Sequence, residues 1–206
     1  MKWKEGGQFE NPPPGSHIAR CIHLIDMGTQ NHSYGGNEWQ SRDVRLTFEL
    51  CYEKMEGKYN QEHAGKPFVI SRTMKQSLHP SSSLRPFLEA WRGRKFTKDE
   101  LAKYEPRKIL GVACRLALVE NGDKVNIDSV SALGKNESAP AAVNPTIYFS
   151  LEPDEFDPET FKKLTEKTQE KIKVTPEYAR AVNPPSAEPE ADEPAAAAVE
   201  VDDVPF

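Results

Sequence analysis

Aromatic and cationic side chains share one side of a strand in the first half of the chain. Residues 39–51 alternate between polar and apolar side chains, which places Trp39 and Arg45 on the same polar side. Rings stack on unpaired bases and arginines contact phosphates, which is how proteins hold single-stranded nucleic acid. The pattern therefore predicts a nucleic-acid-binding face that contains Trp39 and Arg45. The alternatives are a ring that only caps the core and an arginine that is only solvated.

Four further residues extend this candidate face. Tyr34 precedes Gly35 and Gly36 in the predicted loop between the first and second strands, where ligand contacts are common in small barrels. The remaining candidates supply positive charge and are Arg42, Arg72 and Lys75. Each has the alternative interpretation of an ordinary solvated surface residue.

Common catalytic and metal-binding spacings are absent from the sequence. It contains no GxxxxGK[ST] phosphate loop, no HExxH pair and no CxxC pair. His17, Cys21 and His23 share one parity on a strand, but no fourth ligand follows nearby. We therefore expect no enzymatic activity, no metal and no cofactor. The cysteines Cys21, Cys51 and Cys114 are expected to be reduced thiols, because an odd number cannot pair completely.

The elements that would position these residues are three strands, a helix and a hairpin. Strands are predicted at 17–26, 39–51 and 68–75. Helical spacing then relates Leu84, Phe87, Leu88 and Trp91, and a capping box opens a short helix at 97–100. The last two strands, 109–120 and 124–133, are joined through Asn121 and Gly122. This order matches a mainly β fold, the five-stranded OB barrel, which carries a helix between strands three and four.

Charge divides the chain into a basic front and an acidic back. Residues 1–135 contain 21 Lys and Arg against 16 Asp and Glu, a net charge of +5. Residues 136–206 contain 6 against 16, a net charge of −10. This asymmetry is typical of a polyanion-binding domain that carries an acidic tail. No apolar run is long enough to span a membrane, so we expect no membrane association.

The same division predicts four segments. An N-terminal arm, 1–14, precedes the OB domain, 15–135. A helical extension, 136–182, follows, and the chain closes with a disordered acidic tail, 183–206. The tail is rich in Pro and Ala, with seven acidic residues and no Lys or Arg, so it cannot bury enough apolar surface to order itself.

The segment 91–97, WRGRKFT, joins the two predicted helices through a glycine. Its arginines could form a basic loop that touches phosphates. They could equally belong to a structural turn, paired with Glu89, Asp99 or Glu100. The sequence alone leaves both interpretations open.

The last residues resemble the acidic tip of bacterial single-stranded-DNA-binding proteins. Those proteins usually end in several aspartates followed by Ile-Pro-Phe, and this chain ends in Asp202, Asp203, Val204, Pro205 and Phe206. Val204 replaces the isoleucine, and the acidic run is two residues long. In that family the tip docks on replication and repair proteins. The resemblance therefore implies a hydrophobic plug and a carboxylate that recruit such partners.

The domain is similar to a family of tailed-bacteriophage proteins. The similarity is carried by the WRGRKFT junction with its preceding helix, 83–97, and by 108–114 (KILGVAC), and it covers about residues 15–180. Members of that family are OB-fold proteins that bind single-stranded DNA. The resemblance implies a phage replication or recombination protein in the cytoplasm of a bacterial host. It does not imply which residues touch DNA.

These observations together predict a non-enzymatic protein that coats and protects single-stranded DNA and recruits partner enzymes through its tip. Its expected partners are single-stranded DNA, replication and repair proteins, and other copies of itself along the strand. The rival interpretation is a protein-interaction factor of the same fold. Such a factor would use the tip to capture host repair enzymes without a main role in coating DNA.

Overall fold

The computed structural model describes residues 9–183, which form a mainly β structure with one six-stranded sheet and five α-helices. The strands are β1 (Gly15–Tyr34), β2 (Asn37–Lys54), β3 (Pro67–Lys75), β4 (Ala113–Asn121), β5 (Lys124–Ser131) and β6 (Ile147–Phe149). The helices are α1 (Leu84–Arg92), α2 (Lys98–Ala102), α3 (Pro158–Lys162), α4 (Glu166–Lys173) and α5 (Pro176–Val182). The mainly β prediction is confirmed. The predicted disordered tail and its tip, Asp202 to Phe206, lie outside the described residues.

The sheet follows the order β3-β2-β1-β4-β5, with antiparallel neighbours throughout this path. β4 pairs with β1 over residues 15–20, and β6 pairs in parallel with β1 further along, at 23–25. The two strands at the ends of the path are connected by a side chain. Arg72 on β3 donates hydrogen bonds from Nη1 to the carbonyl oxygens of Ile127 (3.2 Å) and Asp128 (3.0 Å) on β5.

β1 and β2 are much longer than the sequence pattern predicts. The predicted loop around Tyr34 shrinks to a two-residue turn, in which Gly35 has φ 59° and Gly36 has φ 82°. Positive φ at both central residues matches the right-handed twist of a hairpin, so the strands continue up to the turn. Residues 29–42 pair with each other, beyond the part of β2 that β3 accompanies. We call this two-stranded projection, 29–42, the arm. It is a different part of the chain from the N-terminal segment 1–14.

The main core lies between the inner side of the sheet and α1. Phe48 on β2 packs against Phe87 and Trp91 of α1, with ring centroids 6.2 Å and 5.4 Å away. Trp91 is therefore a core residue, as its helical spacing predicts, and its indole N–H donates to the carbonyl of Ala113 at 3.0 Å. The inner positions of β2 that the alternation predicts as apolar are buried here.

The outer side of β1 is covered by the helical extension. Ile25 and Met27 form a second apolar cluster with residues of β6 and of the three C-terminal helices, among them Phe149, Phe161 and Ile172. The close approach leaves no room for a side chain at Gly28, where a Cβ would lie 2.6 Å from the Thr175 hydroxyl. The extension is therefore packed on the sheet and shares a core with it.

Buried carboxylates fasten this extension to the sheet. Asp26 on β1 accepts hydrogen bonds from Arg42 Nη2 (2.5 Å) and from the backbone N–H groups of Gly28 (2.9 Å) and Leu151 (3.3 Å). Arg42 also pairs with Glu152 at 2.8 Å. One carboxylate thus connects β1, the base of the arm and the segment that follows β6.

Glu49 performs a similar task at the other end of β2. Its carboxylate accepts from the backbone N–H groups of Val143 (2.8 Å) and Asn144 (2.7 Å), and from the Asn144 side-chain amide. Glu49 is buried although the alternation places it on the polar side of the strand. The linker between β5 and β6 therefore crosses the outer side of the sheet and is held there.

The WRGRKFT segment is a structural turn. Arg92 and Arg94 both pair with Glu100, at 2.7 Å and 2.5 Å, and Gly93 ends α1 with φ 70°. Arg94, together with the Thr97 N–H and Arg92, lowers the pKa of Glu100 to about 2. The carboxylate is therefore ionised at any moderately acidic or neutral pH, and it holds both arginines in a structural ion-pair network.

Replacing Asp26 with Asn should lower the free energy of unfolding by about 2 kcal/mol, because the half-buried Arg42 loses its buried carboxylate partner and keeps only the more exposed Glu152. Urea unfolding followed by circular dichroism measures this. A matched control is Glu159→Gln, which breaks the exposed Glu159–Lys162 pair and should cost less than about 1 kcal/mol. Equal costs for both variants would contradict a central role for Asp26.

Candidate nucleic-acid interface

The outer side of β2 continues from the sheet onto the arm and carries most of the predicted site residues. In the arm, His32 pairs with Trp39 and Tyr34 pairs with Asn37. Paired residues lie on the same side of a two-stranded sheet, and so do residues two positions apart on one strand. All four side chains are therefore on one side of the arm. The register shift between Asp26 and Gly28 adds one residue to β1 and none to β2, so Trp39 and Arg45 share the outer side of β2 as the sequence predicts. On β3 the outer positions next to them are Thr73 and Lys75. We call this the outer face, with Tyr34, Trp39, Arg45, Thr73 and Lys75 as its defining residues.

Trp39 offers one side of its ring to solvent. The other side stacks on His32, with centroids 5.3 Å apart and an interplanar angle of 16°. The indole is 48 % exposed, and Tyr34 near the turn is 82 % exposed. A ring that is supported from below and open above is suited to stacking on a planar group such as a base.

Ser41 and Asp43 contact the His32 imidazole on which Trp39 stacks. His32 Nε2 lies 3.1 Å from Ser41 Oγ and 3.1 Å from Asp43 Oδ2, and Ser41 also donates to Asp43 at 2.8 Å. A hydrolytic triad requires the histidine to use its two ring nitrogens for the serine and the aspartate separately. Here both contacts fall on one nitrogen, so the cluster supports the aromatic stack and has no triad geometry.

Arg45 is a half-buried guanidinium that hydroxyl groups hold in place. Its Nη1 donates to Thr168 of α4 at 2.9 Å, and its Nε donates to Thr73 of β3 at 3.3 Å. Within residues 9–183 no carboxylate forms an ion pair with it, and burial lowers the pKa of the Arg45 guanidinium. Buried charges are usually paired, so an arginine held only by hydroxyls is suited to receive an anion.

Lys75 lies beside this arginine at the end of β3. It is exposed and stands opposite Asp43 in the strand register. Ser71 and Thr73 occupy the next outer positions along β3 and are also exposed. The outer side of β3 is therefore open and polar, whereas the outer side of β1 is covered by the extension.

The structure separates Arg42 and Arg72 from this face. Arg42 is engaged with Asp26 and Glu152 on the opposite side of β2. Arg72 points to the inner side of β3, with its guanidinium carbon 5.3 Å from the Phe87 ring centre. Contact with nucleic acid remains a prediction for both residues, but their side chains already perform structural tasks.

The His17, Cys21 and His23 pattern does not converge. A bulge at Ile22 shifts the register, so that Cys21 pairs with Phe48 on the inner side and His23 pairs with Thr47 on the outer side. The shared parity expected from the sequence is thus wrong. Burial raises the pKa of the Cys21 thiol to about 12. In the part of the chain that the structure describes, no three His, Cys, Asp or Glu side chains cluster as metal ligands would.

A cavity of about 670 Å³ lies elsewhere, beside α1 and α2. Its walls are mostly apolar and include Trp91, Phe96 and Tyr104. Four of its charged groups form ion pairs, since Glu100 pairs with Arg92 at 2.7 Å and Glu105 pairs with Lys108 at 3.1 Å. This cavity shares no lining residue with the outer face and presents no convergent chemistry.

Comparisons with protein-family models, with curated proteins and with solved structures found no match for this chain. Within residues 9–183, no helix is long and apolar enough to span a membrane.

Two contributors to the face were missed at the level of sequence. A local sequence signal does indicate His32. A two-residue turn at Gly35 and Gly36 pairs residues at equal distances on either side of the turn, and His32 and Trp39 are such a pair. Thr168 lies more than a hundred residues from Arg45 in the chain, and no local pattern indicates their contact.

Replacing His32 with Ala should loosen the arm, because the ring under Trp39 is lost. A stacked pair contributes about 1 kcal/mol, which corresponds to roughly fivefold faster amide hydrogen exchange in the arm. His32→Phe keeps a ring under Trp39 but lacks the nitrogen that contacts Ser41 and Asp43, so it should restore only part of the protection. Unchanged exchange in His32→Ala would show that the stack does not order the arm.

Proposed function

We propose that this protein binds single-stranded DNA along the outer face, and that its sheet is an OB barrel. The barrel is supported by the strand order, which brings β3 and β5 to the two ends of one path. It is supported further by Arg72, which links those ends, and by α1, which lies between β3 and β4 in the chain. In this fold the face of strands two and three and the loop between strands one and two are common binding surfaces.

The observation that carries the proposal is Arg45. Its guanidinium is half-buried and contacts two hydroxyls, those of Thr73 and Thr168, with no ion pair to a carboxylate in residues 9–183. An approaching phosphate would supply the missing counter-charge and accept a charge-assisted hydrogen bond. Lys75, exposed on the adjacent strand, adds a second cation at the same place.

Base stacking would occur further along the same strand. Trp39 lies six positions from Arg45, or about 20 Å along an extended strand. The phosphate contact at Arg45 and the aromatic platform on the arm are therefore separate points on one line. A flexible single strand can follow such a line with its bases turned toward the rings, whereas the paired bases of a duplex are stacked on each other.

Recruitment of partners through Asp202 to Phe206, and coating of DNA with self-association, extend this proposal. An apolar plug with adjacent carboxylates is suited to a basic pocket on a replication or repair enzyme. The rival function, protein capture without DNA coating, uses the same tip. Removing Pro205 and Phe206 tests whether partner binding and DNA binding use separate parts of the chain. The deletion should abolish partner binding and leave DNA affinity nearly unchanged.

The direct test is a fluorescence titration of the full chain with a labelled single strand of about 30 nucleotides, long enough for several OB-sized sites. The expected result is salt-sensitive binding with tryptophan quenching and a preference over the matching duplex. Equal binding to the duplex without quenching would indicate contact with the backbone alone. Absence of binding would overturn the DNA function and favour the protein-interaction factor.

Variants locate the site within the same assay. Trp39→Ala should weaken binding by about 1–3 kcal/mol, because one stacked base is lost. Tyr59→Ala is the matched control, since Tyr59 is equally exposed, at 47 % against 48 %, but lies beyond the far end of β2. Arg45→Gln should weaken binding and reduce its salt dependence. If Tyr59→Ala lowers DNA affinity as much as Trp39→Ala does, the arm is not where bases stack.

A further inference from the structure

α4 lies at the margin of the outer face and contacts it through hydroxyl groups. Thr168 accepts from Arg45 at 2.9 Å and is within 2.8 Å of the Thr165 hydroxyl, at the start of the helix. One turn later, the carbonyl of Lys171 accepts a hydrogen bond from Gln30 at the base of the arm, at 3.2 Å. The helix therefore runs beside both points of the proposed site, from Arg45 toward the arm.

The two sides of α4 differ in what they contact. Thr168 and Ile172 are buried against the sheet. Gln169 donates to the Leu164 carbonyl at 2.7 Å, and Lys173 lies 6.0 Å from the centre of the Phe161 ring, so this side of α4 faces α3. With 100° per residue, the opposite side of the helix carries Lys167 and Lys171, four residues apart.

The direction of that opposite side follows from the sheet. α3 contacts β6, and β6 pairs with the edge of β1 that faces away from β2. The side of α4 turned away from α3 is therefore the side toward β2 and β3. Both lysines are exposed there, while Glu166 and Glu170 lie on the surface of the helix away from the sheet.

We infer that α4 forms one wall of the DNA-binding groove, in which Lys167 and Lys171 contact the phosphodiester backbone. The floor of this groove is the outer side of β3 together with Arg45 and Trp39 of β2. Arg45 stands where wall and floor meet, and its contact with Thr168 sets the position of the wall. The inference rests on the proposed function and deepens it, because it makes the helical extension part of the binding site and the DNA backbone its ligand.

The experiment compares the double variant Lys167→Gln/Lys171→Gln with the full chain in the same titration, over a series of salt concentrations. Each phosphate contact on a single strand contributes about 0.7 to the slope of log affinity against log salt. Loss of both contacts should therefore reduce the slope by about 1.4 and weaken binding at low salt. Tryptophan quenching at saturation should stay as it is in the full chain, since the aromatic platform is intact.

The control is Lys103→Gln/Lys124→Gln, which removes the same charge from exposed lysines on the connection after α2 and at the start of β5. It should leave the slope nearly unchanged. If both double variants reduce the slope of log affinity against log salt equally, the effect is one of net charge, and the role of α4 is overturned. An unchanged slope in Lys167→Gln/Lys171→Gln, with the full chain binding normally, would also overturn it and leave the DNA function standing. Failure of the full chain to bind removes the function and this inference together.

Discussion

The carboxylate of Asp26 is the contact on which the arrangement of sheet, arm and extension depends. It lies on β1, receives the guanidinium of Arg42 at the base of the arm, and accepts the backbone N–H of Leu151 just after β6. A buried carboxylate that loses such partners costs several kcal/mol. The three parts are therefore linked through one carboxylate, which connects the base of the arm to the extension.

The strand pattern predicted which residues share a face but not what covers that face. Alternation in β2 correctly assigned the inner core residues and the common side of Trp39 and Arg45. It also implied that Asp43 and Glu49 face solvent, whereas both are buried. The reason is physical: alternation distinguishes two sides of a strand, and a later segment of the chain can cover either one by satisfying its polar groups.

Long-range contacts account for most of what the sequence could not predict. The order of strands, the helix between β3 and β4 and the hairpin after it follow from local patterns, and each is present. The arm was missed because Gly35 and Gly36 were interpreted as a loop rather than as a turn with paired flanks. The packing of α4 beside Arg45 joins residues far apart in the chain, so neither periodicity nor turn chemistry could reveal it.

Carboxylate partners distinguish Arg42 and Arg92, which stabilise the fold, from Arg45 on the outer face. Arg42 and Arg92 each form an ion pair with a carboxylate of the same chain. Arg45 has comparable burial to Arg42 but receives only hydroxyl oxygens from the described chain. Hydroxyls fix the direction of a guanidinium without neutralising it, so the charge remains available where β2, β3 and α4 meet. The number of basic residues along the sequence does not separate these arginines, whereas their partners in the structure do.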